Sequence, residues 1–183
     1  MILIAIVSIF LVLNRVNFLD YRSPITYDKV DQITFEDFRG LEFFKKTLYG
    51  NERFAYVATT IESEINDDCV YVEALFHPSR SFVYKKHIQS KNLLSHEIYH
   101  FKITELFSRK AKKRIADLKS KEKQLVRNIL DSVWLEERKF QHQYDFDTFH
   151  SYVFSEQKRY ERKIDSLLNL YDKYKEPKIL CNE

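Results

Sequence analysis

Leu93-Leu94-Ser95-His96-Glu97-Ile98-Tyr99-His100-Phe101 holds the pattern H-E-x-x-H in an apolar setting. On an α-helix His96 and His100 stand four residues apart and stack on one face. Two neutral imidazoles so placed can share one zinc ion at about 2.0–2.1 Å each. Glu97 points about 100° away from that line. In H-E-x-x-H enzymes this glutamate stays off the metal and takes a proton from a water that the metal has acidified. The motif therefore predicts metal-assisted hydrolysis, most often of a peptide bond. Leu93, Leu94, Ile98, Phe101, Ile103 and Phe107 surround it, as expected of a helix buried beneath a cleft.

Outward from the motif the chain is set for helix. From Ser79 to Glu176 there is neither Gly nor Pro, so nothing in that length forces a break. Ser90 is a suitable N-cap for a first helix to about Leu118. A second helix is expected from about Ser120 to Gln143, with Leu125, Ile129, Val133 and Phe140 at helical spacing and Trp134 in the core. Asp145-Phe146-Asp147-Thr148 reads as a loop. A third helix follows from about Phe154 to Lys175, striped by Tyr160, Ile164, Leu167, Leu168 and Tyr171. Nine Lys or Arg lie between Arg109 and Arg127; with few aromatics interleaved, they read as a solvated helix face.

Upstream, the pattern changes to strands. Phe54 to Ile65 is rich in β-formers, Asn66-Asp67-Asp68 reads as a turn, and Cys69 to Phe76 alternates, with Val70, Val72, Ala74 and Phe76 on one face. Ser81 to Tyr84 can add a short strand. Ile33 to Gly40 reads as a strand or turn, and Tyr21 to Asp31 as a linker broken at Ser23-Pro24. The predicted class is α+β, a small antiparallel sheet over residues 33–84 followed by three helices.

The chain has 183 residues, 44% hydrophobic and 31% charged, which suits one folded domain. The domain is expected over residues 23–176, with a frayed tail at 177–183. Ile2 to Leu13 is an unbroken apolar or small run, so residues 1–22 read as a signal peptide or an N-terminal membrane anchor, with residues 2–19 as the attachment and export from the cytoplasm as the consequence. A net charge of +3 is too small to imply a nucleic-acid partner. The two cysteines, Cys69 and Cys181, make no framework and read as unpaired thiols. No Gly-rich phosphate loop and no G-x-S-x-G occurs.

Residues 94–109 resemble the helix of a bacterial domain-of-unknown-function family described as secreted zinc-dependent proteases, approximately L-x-H-E-Q-x-H-F-D-I-x-E-x-x-A-R. A second family stretch, approximately Y-D-x-x-T-x-H-G followed by Q-x-x-W-x-x-x-I, resembles Tyr144-Asp145-Phe146-Asp147-Thr148-Phe149-His150-Ser151 and then Gln157, Tyr160 and Ile164. The departures are Ile98 for Gln, Lys102 for Asp, Ser151 for Gly and Tyr160 for Trp. The resemblance implies a zincin-like domain that hydrolyses peptide bonds.

A catalytic zinc takes three protein ligands and leaves one position for water. Helix one offers His96 and His100. Glu105, nine positions on, faces the other way and suits a pair with Arg109. Glu136 and Glu137 on helix two are possible. His150, at the position of the family's histidine, is the expected third ligand, with Asp145 or Asp147 hydrogen-bonded to a ligating imidazole. Of the remaining histidines, His77, His87 and His142, the first two read as structural. The expected site is His96, His100 and His150 around Zn2+ with Glu97 as general base, acting on a peptide or protein substrate. The alternative is a noncatalytic zincin-like module of the cell envelope that binds or scaffolds, and a weaker third reading is a basic helical module on an anionic surface.

Overall fold

The structure, a computed structural model, describes residues 6–10, 20–41, 54–66, 69–84, 87, 89–118 and 122–179. The strands are β1 (Ile25–Thr26), β2 (Ala55–Tyr56), β3 (Thr59–Ile65), β4 (Val70–Phe76), β5 (Phe82–Val83) and β6 (Lys178–Ile179). The helices are α1 (Lys91–Ala116), α2 (Lys123–Thr148) and α3 (Phe154–Leu170). This is the expected α+β arrangement, with all but the last short strand ahead of the helices.

β4 is the centre of the main sheet. β3 pairs antiparallel along its whole length, from Thr59↔Phe76 to Ile65↔Val70. β1 and β6 share the other edge of β4, at its two ends. β2 and β5 form a separate two-stranded sheet. Alternation along β4 works as its sequence requires: Val70, Val72, Ala74 and Phe76 are 4%, 0%, 1% and 0% exposed, and they turn toward the helices. α1 is the middle helix and packs on the sheet, on α2 and on α3. Val72, Ile103, Leu106, Val133, Tyr144 and Ile164 belong to one core cluster, and Val30, Phe35, Phe76, Leu93 and Phe101 to a second at the other end of α1. Ser90 caps α1, its Oγ accepting from Leu93 N–H at 3.3 Å. Gly40 lies where a Cβ would come within 2.6 Å of the Ser81 carbonyl oxygen, so only glycine lets that segment close against the start of β5.

Several expectations are corrected. Ile25–Thr26, read as linker, pairs with β4, while of the two readings of Ile33 to Gly40 the turn holds, as a 3-10 turn at Phe35–Asp37. The tail does not fray at 177: Val72 N–H donates to the Pro177 carbonyl at 2.9 Å, and Lys178–Ile179 is a strand. Residues 180–183 lie outside the described residues. Asp145 to Thr148, read as a loop, is the last turn of α2, because no residue there forbids helical geometry. Trp134 is 50% exposed and its ring receives the Arg138 guanidinium at 5.0 Å. Within the basic stretch Arg109 and Lys112 are buried, so it is not a uniformly solvated face. Cys69 is disulfide-bonded and the described residues hold no free thiol. The only other cysteine, Cys181, lies outside the described residues, two positions beyond Ile179, which pairs with Val70. Residues 6–10 are helical and exposed; the rest of the expected leader before Asp20 is outside the described residues. Among the described residues no helix is long and apolar enough to cross a membrane.

Candidate metal centre

The α-helical period places His96 and His100 on the face of α1 that packs on α2. α2 runs back so that its last turn meets them. Asp145 Oδ1 lies 3.2 Å from His96 Nε2 and 2.9 Å from His100 Nε2. The chain then reverses through Phe149, His150 and Ser151, with φ of 45°, 51° and 79°. The N–H of His150 donates to the Asp145 carbonyl at 3.2 Å, closing the helix end. This turn brings His150 Nδ1 to 3.2 Å from the same Asp145 Oδ1. The position where the resembled motif has glycine is the one with the largest positive φ, and a serine occupies it here.

His96, Asp145 and His150 offer donor atoms that all lie within 4.8 Å of one another, an arrangement able to hold a metal ion. His100 Nε2 adjoins two of them, at 2.9 Å from Asp145 Oδ1 and 3.2 Å from His96 Nε2. Donors on bonds of about 2.0 Å to a tetrahedral ion stand about 3.3 Å apart, which the separations of Asp145 Oδ1 from the three imidazole nitrogens, 2.9–3.2 Å, approach. The three expected imidazoles all reach the Asp145 carboxylate, but the trio whose donors group together is His96, Asp145 and His150, with Asp145 in the place expected of His100. Asp145, expected to orient a ligand from outside, reaches into the cluster, whereas Asp147 accepts from Tyr160 Oη at 2.6 Å. Glu105 bonds Arg109 on the opposite face, as its spacing requires. Glu136 is held by Arg114, and Glu137 accepts from Gln141 and Thr104 at the cleft wall.

Side chains of α2 hold the imidazoles in place. Gln141 donates to the His100 carbonyl at 2.9 Å and its own carbonyl oxygen faces His100 Nδ1. Tyr144, fully buried, stacks on His96 at 4.7 Å between ring centroids. Thr148 Oγ1 donates to the Tyr144 carbonyl at 2.7 Å. His77 bonds Thr60 at 2.7 Å and is structural, as read.

The electrostatics follow from burial and from Asp145. Burial lowers His96 to about 4, against the pull of the Asp145 carboxylate, so this imidazole keeps a free lone pair. Burial acts the same way on His100, but Asp145 outweighs it and raises that imidazole to about 9. Burial disfavours the Asp145 carboxylate too, yet the His100 charge and three imidazole hydrogen bonds hold it well below the usual carboxylate range. Glu97 is pushed up to about 7 by burial, partly offset by His100 and by a bond from Val57 N–H at 3.0 Å.

Glu97, His100, Asp145 and His150 line a cleft of about 400 Å³ whose other walls are Ala55–Val57 and, on α2, Glu137, Arg138, Gln141 and His142. Val57 N–H as the partner of Glu97 left no trace in the sequence, since a backbone group has no residue identity. Gln141 did leave one, because it precedes Asp145 by four and shares its helix face. Comparison with models of protein families, with curated proteins and with solved structures finds no match for this chain.

Proposed function

We propose that the chain is a zinc-dependent peptidase of zincin-like architecture, with His96, His100 and His150 as ligands and Glu97 as general base. The observation that supports this is the convergence of both H-E-x-x-H imidazoles with His150 in a cleft that also holds Glu97. Three imidazoles and a carboxylate are a donor set that suits zinc. Bound there, zinc supplies Lewis acidity and an acidified water. Glu97, drawn to about 7, is poised to take a proton near neutral pH and return it to the leaving amine. The Val57 N–H fixes one of its oxygens and leaves the other for that transfer. Export directed by the Ile2 to Leu13 run fits an extracytoplasmic substrate.

A second reading has its own observation. Asp145 already stands in the cluster as a fourth donor, and four protein ligands make the closed kind of zinc site that serves structure. That reading is the noncatalytic envelope module. Zinc content and hydrolysis of a denatured protein substrate separate the two. The peptidase reading expects one zinc in wild type and in Glu97→Gln, with hydrolysis lost by ~10²–10⁴-fold in the variant. Zinc in both and hydrolysis in neither leaves the closed site standing, and a wild type without zinc removes both zinc sites and leaves only a metal-free scaffold.

A further inference from the structure

An imidazole that binds a metal through one ring nitrogen carries a hydrogen on the other, and that N–H needs an acceptor when it is buried. The two histidines of α1 meet this demand differently. His96 Nδ1 is buried and has no hydrogen-bond partner among the described residues. His100 Nδ1 faces the side-chain carbonyl oxygen of Gln141. The surroundings of that amide decide which of its ends meets the ring. Gln141 Nε2 lies 2.9 Å from the His100 carbonyl oxygen, 2.8 Å from a Glu137 carboxylate oxygen and 3.2 Å from Thr104 Oγ1. A carbonyl and a carboxylate accept, so the NH2 is the end that meets them and the oxygen is the end that meets His100. An oxygen at Nδ1 requires a hydrogen there. Nε2 is then the nitrogen that faces Asp145 Oδ1, at 2.9 Å, and His96 Nε2, at 3.2 Å. The amide is itself anchored. Glu137, four residues before Gln141 on the same face of α2, also accepts from Thr104 Oγ1 at 3.2 Å. Thr104 is 1% exposed and lies 2.7 Å from Thr59 Oγ1 on β3. A network from β3 through α1 and α2 thus ends on one imidazole hydrogen, and Glu137 serves it as the anchor of the amide rather than as a ligand.

We propose that Gln141 is a positioning residue of the metal centre: by accepting the Nδ1–H of His100 it reserves Nε2 of that ring for the ion. This rests on the zinc-centre part of the reading above and holds for the open and the closed form of the site alike. The test follows the Nδ1–H of His100 by heteronuclear NMR and measures zinc affinity by competition with a chelator, both on the full chain. Wild type should show a His100 Nδ1–H that exchanges slowly with water, with and without zinc. Gln141→Leu keeps the bulk and removes the acceptor. It should lose that signal and bind zinc about 10–100-fold more weakly. Gln141→Glu keeps an acceptor and should retain both the signal and the affinity. Gln141→Asn, one methylene too short to reach Nδ1, should behave as Gln141→Leu does, and it stands in if the leucine prevents folding. Wild-type zinc affinity in Gln141→Leu or Gln141→Asn overturns the proposal and leaves the metal centre standing. So does an equal loss in all three folded variants, which would make Gln141 a support of α2 alone, and so does a wild type without a His100 Nδ1–H. A wild type that binds no zinc removes the metal reading and the proposal together. Neither measurement uses turnover, so a protein that binds zinc in this way and cleaves nothing counts against the peptidase reading alone.

Discussion

The two faces of α1 both bury ionisable groups, and they do so in opposite ways. On the face away from the cleft, Glu105, Arg109 and Lys112 are 3%, 7% and 2% exposed. Arg109 donates from Nε to Glu105 at 2.7 Å and from Nη1 to the Leu168 carbonyl at 2.9 Å. Lys112 donates to the Lys175 carbonyl at 3.1 Å. Donors meet acceptors, and the network is complete within the protein, although it borders a cavity of about 770 Å³ that exceeds the cleft in size. On the cleft face three imidazole nitrogens converge on one carboxylate oxygen, and two of them face each other at 3.2 Å. That cluster is short of positive charge between its donors unless a proton or a cation sits there. Cavity size therefore says less about chemistry than the balance of donors and acceptors on the wall.

The comparison can be broken in four ways. Glu105→Ala strips the buried Arg109 of its carboxylate and should cost about 3–5 kcal/mol in chemical denaturation; zinc stoichiometry should not change, and a loss of metal would mean the two faces are not independent. Zinc at roughly 1,000 times its dissociation constant should raise wild-type stability by about 4 kcal/mol. The same titration should do nothing to a His96→Ala, His100→Ala double variant, and equal stabilisation of both would place the ion elsewhere. Ser151→Gly relieves a φ of 79° and should stabilise by about 0.5–1 kcal/mol with zinc retained; destabilisation in a thermal melt would show that the serine is held by something other than the turn. Arg114→Ala removes a half-exposed pair with Glu136 and should change stability by less than about 1 kcal/mol, which sets the scale against which Glu105→Ala is judged.

Much of this was readable along the chain. The absence of Gly and Pro from Ser79 to Glu176 set the helices, and the alternation of Val70, Val72, Ala74 and Phe76 set the buried face of β4. The four-residue spacing of His96 and His100 fixed them on one helix face, with Glu105 opposite. All of these depend on local periodicity, which backbone geometry converts directly into direction. His150 was reachable only because Tyr144-Asp145-x-x-Thr148-x-His150 resembled a known motif, and each fixed residue proves to touch the cluster or the helix end that supports it.

Tertiary structure decided the rest. Asp145 stands among three imidazoles because α2 continues through its last turn and then reverses through three positive φ angles, which no residue there announces. Val57 N–H meets Glu97 across a separation of 40 residues, and a backbone donor is the same at every position. β6 depends on the chain end returning to β4. Trp134 lies outside the core because the helix phase that buries Val133 turns it outward. Local pattern fixes which way a side chain points, but what it meets there is settled by contacts between segments far apart in sequence.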